Sequence, residues 1–77
     1  MDGGPSAEER KLDQLTEREA EIIRLAATGR TSADIARQLF ISRRTVETHR
    51  SRAMQKLGLH NEVELARFFL NLESGDR

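Results

Sequence analysis

The chain has 77 residues, no cysteine and a formal net charge of zero. That length holds one small domain with a modest core, and the missing thiols exclude disulfides and thiolate metal sites. No apolar run approaches the roughly 20 residues that span a bilayer, residues 1–5 have no apolar signal core, and two isolated histidines, His49 and His60, do not make a metal centre. A soluble, cytoplasmic chain with no cofactor, metal or small-molecule ligand is the expectation.

Residues 1–14 open on Gly3, Gly4, Pro5 and Ser6 and continue highly charged. They read as a linker or flexible tail whose charged end can extend into a short helical turn. Four helices follow. Thr16 with Glu19 forms a capping box, and Leu15 is placed for an apolar contact across it. Ile22, Ile23 and Ala26 keep helical spacing, and Gly29 ends this helix in the left-handed conformation. Thr31 and Asp34 open a second helix with Ile35, Ala36 and Leu39 as its buried stripe. Phe40 and Ile41 make a short apolar turn. Ser42 caps a third helix over residues 43–57, which Gly58 ends. Asn61 with Glu64 repeats the capping signature for a fourth helix reaching about Glu73, and residues 74–77 are a tail. Strand-like alternation is absent. The expected fold is all-α, a four-helix helix-turn-helix domain over residues 15–73, built around the closely joined second and third helices.

The zero total charge hides a pattern. Residues 1–29 carry a net −3, residues 30–56 a net +5 and residues 57–77 a net −2. The basic block holds Arg30, Arg37, Arg43, Arg44, Arg50, Arg52 and Lys56 against Asp34 and Glu47. Attraction to phosphate is screened within about a Debye length, so the local block matters more than the sum.

At 100° per residue, Ala53 and Leu57 fall within about 20° of Val46 on the third helix, which makes these three its core stripe. The opposite face holds Arg44, Thr48, Ser51 and Gln55, with Glu47 and Arg52 at its edges. Such side chains can donate to or accept from base edges: arginine can clamp guanine, and Glu47 can accept from a cytosine amino group. One flank collects Thr45, His49, Lys56 and Arg52, which suit phosphate oxygens. The free backbone N–H groups at the starts of the second and third helices favour phosphate too. Arg50 lies about 40° from the core centre and is expected to snorkel.

The apolar residues of the fourth helix spread over more than half its circumference, wider than the arc one core face needs. With Leu65, Phe69 and Leu72 turned to the core, Val63, Ala66 and Leu70 remain for a partner. Symmetric operators are commonly read by symmetric dimers, so a homodimer through this helix is expected.

The frame Leu15-Thr16-Glu17-Arg18-Glu19, Gly29, Ile35-Ala36, Leu39, Ile41-Ser42, Thr45-Val46, His49 and Lys56-Leu57-Gly58 resembles the LuxR-type (GerE/FixJ-like) helix-turn-helix domain of bacterial transcription regulators. The likeness covers residues 15 to about 72. It implies a domain often placed C-terminal to a receiver or ligand-sensing domain, so that residues 1–14 would be a linker within a longer regulator. It implies sequence-specific binding of double-stranded DNA at the nucleoid, with the third helix in the major groove and a dimer on a two-half-site operator. It points to Arg44, Glu47, Thr48 and Ser51 as base-facing. The expected backbone contacts are Thr31, Ser32, Arg43, Thr45, Arg52 and Lys56. RNA polymerase is a further candidate partner. Two positions depart from the family pattern: Glu47 stands where lysine is frequent, and Glu62 stands near a frequent arginine. Arg50 also occupies a position more often aliphatic.

Two other readings compete. The stretch from Ser42 to Leu57 resembles region 4 of a sigma factor, although a fourth helix after Gly58 argues against that. A protein-interaction module would use the fourth helix and leave the basic face solvated. Enzymatic activity is not expected, since no nucleophile–base pair, paired-acid site or glycine-rich phosphate loop is present.

Overall fold

The computed structural model describes residues 7–74, with side chains for residues 10–72. Of the tails read at 1–14 and 74–77, residues 1–6 and 75–77 lie outside the described residues. All regular structure among the described residues is helical: α1 (Ala7–Leu12), α2 (Glu17–Ala27), α3 (Ser32–Leu39), α4 (Arg43–Leu57) and α5 (Glu62–Ser74). The four expected helices are α2 to α5, and the short α1 makes a fifth. The charged segment before Gln14 thus forms a helix, and it ends on Leu12, which is buried in the core.

Local chemistry sets the helix starts. Thr16 Oγ1 accepts from the Glu19 N–H at 3.1 Å while Glu19 Oε1 accepts from the Thr16 N–H at 3.0 Å. Thr31 and Asp34 repeat the reciprocal box at the start of α3. Ser42 Oγ accepts from the Thr45 N–H at 3.0 Å at the start of α4. Each satisfies backbone donors that a helix start leaves unpaired. At α5 the pattern shifts by one residue. Asn61 Oδ1 accepts from the Glu64 N–H at 2.9 Å, but Glu64 Oε1 reaches back to the His60 N–H rather than to Asn61. The ends depend on the left-handed region: Gly29 has φ +96° and Gly58 φ +73°. The turn between α3 and α4 uses a non-glycine residue there, Phe40, at φ 58°.

The core gathers one stripe from each helix. Ile22, Ile23 and Ala26 of α2 meet Ile35 and Ala36 of α3, Val46, Ala53 and Leu57 of α4, and Leu65 and Phe68 of α5. Helix α4 packs against both α2 and α3, so its direction is fixed from two sides. The Ile, Val, Leu and Phe side chains among them contribute roughly 1.5–3 kcal/mol each when fully buried. On α5 the sequence reading put Phe69 in the core with Leu65 and Leu72. The structure instead buries Phe68 with Leu65, while Phe69 and Leu72 are half-buried at the margin. The two phenyl rings pack edge to face, with centroids 5.3 Å apart.

Candidate nucleic-acid interface

The separation of faces on α4 follows from its sequence spacing. Val46, Ala53 and Leu57 are buried, and Arg44, Glu47, Thr48, Ser51 and Gln55 are exposed. All four side chains expected to face bases therefore stand on solvent-facing positions of one rigid helix, capped by Ser42 and closed by Gly58. Glu47, Ser51 and Gln55 line a groove of about 600 Å³ with Arg50, Met54 and Leu59, between α4 and the loop that leads to α5.

The residues expected on phosphate are less uniform. Arg43 and Arg52 are exposed, and so is Thr31, whose hydroxyl oxygen already accepts from the Asp34 N–H. Ser32 and Thr45 are half-buried. Thr45 Oγ1 accepts from Ser42 Oγ at 2.8 Å, which leaves its own O–H to donate outward. Lys56 has an internal partner: its Nζ donates to Glu19 Oε1 at 2.7 Å. His49 is half-buried, and its Nδ1 is closed to solvent without a hydrogen-bond partner. Any contact His49 makes beyond the domain falls to Nε2.

Most of the basic block is compensated. Arg37 pairs with Asp34 at 2.7 Å, Arg43 lies 3.7 Å from Glu47, Arg50 pairs with Glu62, and Lys56 with Glu19. Among the described residues, Arg44 and Arg52 have no carboxylate in salt-bridge contact, and Arg30 acts on Asp34 only at longer range. Arg44 is thus an uncompensated cation on the outer face of α4. The Lys56 hydrogen bond and the Thr16 N–H hold the Glu19 carboxyl below its usual range, against burial, which pushes it up.

Sequence reading missed Glu19 as the partner of Lys56, and Glu62 as the partner of Arg50. These pairs join different helices and leave no periodic signal. Among the candidate partner-facing residues of α5, Ala66 is exposed, and Val63 and Leu70 are 67% and 63% exposed.

Similarity to known proteins fits this arrangement. The profile of the family described as "Bacterial regulatory proteins, luxR family" matches residues 13–69. The chain is 48% identical over 60 residues to the uncharacterized response regulatory protein YgeK of Escherichia coli (strain K12), covering 78% of this chain and 41% of that protein. It is 36% identical over 66 residues to the DNA-binding transcriptional activator EvgA of the same strain, covering 86% and 32%. It is 46% identical over 57 residues to the transcriptional regulatory protein UhpA of that strain, covering 74% and 29%. The chain therefore spans well under half the length of these curated relatives. No solved structure matches it significantly. No helix among the described residues is long and apolar enough to cross a membrane. With the family profile matched from before α2 into α5, the chain belongs to the luxR family of bacterial regulatory proteins.

Proposed function

We propose that this chain binds double-stranded DNA sequence-specifically to regulate transcription in the bacterial cytoplasm, with α4 in the major groove. One observation carries this reading. The buried stripe Val46, Ala53 and Leu57 holds α4 in the domain, and the same helix turns Arg44, Glu47, Thr48 and Ser51 outward. A helix fits the major groove, and these side chains can read base edges there. Arg44 is the side chain suited to a guanine, and Glu47 to a cytosine amino group. Thr31, Ser32, Arg43, Thr45 and Arg52 hold phosphates and fix the register. Lys56 contributes there only through the N–H groups that Glu19 leaves over. That a relative is named a DNA-binding transcriptional activator supports the same reading.

The chain works as a homodimer in this proposal. Val63, Ala66 and Leu70 of α5 meet their copies, and two recognition helices enter successive major grooves about one helical turn apart. The test is binding to duplex DNA across a salt series. Neutralised phosphates release counterions, so affinity falls linearly on log–log axes. A chain whose basic face is merely solvated shows no such fall.

A further inference from the structure

Arg50 is expected only to snorkel, yet it lines the groove with two of the expected base-facing residues, Glu47 and Ser51. Its side chain is half-buried, and one guanidinium nitrogen donates to Glu62 at the start of α5. Its Nε is closed to solvent and has no acceptor. The guanidinium is therefore held on one side and unsatisfied on another. Glu62 is 71% exposed. A pair with one partner in water holds weakly, and a backbone phosphate offers the guanidinium an equally charged acceptor within the field of its neighbouring phosphates.

We infer that Arg50 is a further DNA-backbone contact that Glu62 holds in reserve. On a random duplex Glu62 keeps Arg50, and on a duplex that α4 reads, the phosphate of the bound strand replaces the Glu62 carboxylate as its acceptor. This rests on the proposed duplex binding by α4 and adds a specificity device to it. A carboxylate that withholds one phosphate contact from random duplex and yields it on a sequence that α4 reads widens the affinity gap between the two. The Arg43–Glu47 pair across one turn of α4 adds a second carboxylate at the same edge.

The experiment measures binding of the 77-residue chain to a random-sequence duplex over a salt series. The variants are Glu62→Gln and the double variant Glu62→Gln with Arg50→Met, and thermal melting checks that each folds. Glu62→Gln is expected to bind random duplex more tightly, with a log–log salt slope steeper by about 0.9 per bound domain, an extra loss of about 3.5-fold over a fourfold rise in salt. Adding Arg50→Met is expected to return the slope to that of the parent. A parental slope in Glu62→Gln overturns the inference, and this variant alone decides if Arg50→Met lowers stability. A steeper slope that survives Arg50→Met also overturns it, because the gain then comes from removing the Glu62 charge alone. If the parent binds no duplex in a salt-dependent way, the functional reading itself fails, and this inference with it.

Discussion

Lys56 Nζ lies 2.7 Å from Glu19 Oε1, joining the last turn of α4 to the capped start of α2 across 37 residues of sequence. Glu19 is almost fully buried and also accepts from the Thr16 N–H, so one carboxylate caps α2 and positions α4. Lys56→Met leaves that carboxylate buried with one partner fewer. It is expected to cost about 1–3 kcal/mol of folding stability near neutral pH. Because Glu19 is held below its ordinary value of 4.5, the stability it confers is present above that value and lost as pH falls through its folded-state value. Urea melts of parent and variant from pH 7 to pH 3 check this. The gap is expected to be full near neutrality and to narrow below pH 4.5.

Phe40 sits in the left-handed region at φ 58° and is 93% exposed. A residue with a Cβ loses roughly 1–2 kcal/mol there, and a solvated phenyl ring recovers little by packing. Glycine adopts this conformation without strain but brings a more flexible unfolded chain. Phe40→Gly is therefore expected to leave stability unchanged or raise it by up to about 1 kcal/mol. A chemical denaturation midpoint measures it, and a clear loss would show that the ring packs on the domain.

Val63 and Leu70 stand on the side of α5 opposite Leu65 and Phe68. A charge there should separate a dimer without disturbing the core. Val63→Asp and Leu70→Asp are expected to melt like the parent, sediment as monomers and bind a two-half-site operator about a hundredfold more weakly, the order of avidity lost with a linked second site. Variants that stay folded and bind as cooperatively as the parent would move the interface elsewhere.

Features set by near neighbours were legible in the sequence. The caps at Thr16, Thr31 and Ser42, the stops at Gly29 and Gly58, and the stripe Val46, Ala53 and Leu57 all depend on residues within a few turns, and the structure places each where the spacing put it. The Lys56–Glu19 and Arg50–Glu62 pairs were not legible, because tertiary packing brings together residues with no spacing relation. The choice between Phe68 and Phe69 failed for a related reason. At 100° per residue Phe69 lies near the middle of the apolar arc and Phe68 at its edge, so spacing favours Phe69, whereas α1 and α2 both pack on α5 and the core covers Phe68. The burial of Leu12 came from packing of α1 against α4 and α5, which a charged segment gives no means to foresee.

The most direct measurement is the affinity of Arg44→Ala and parent for a duplex selected from a random pool, each compared with a scrambled duplex at fixed salt. If α4 reads bases, the parent prefers the selected site, and Arg44→Ala loses about 1–3 kcal/mol on that site while its affinity for the scrambled duplex changes little. Equal weakening on both duplexes would contradict base reading by Arg44 and leave it as a phosphate contact. A parent that binds both duplexes alike would contradict sequence recognition by α4 altogether.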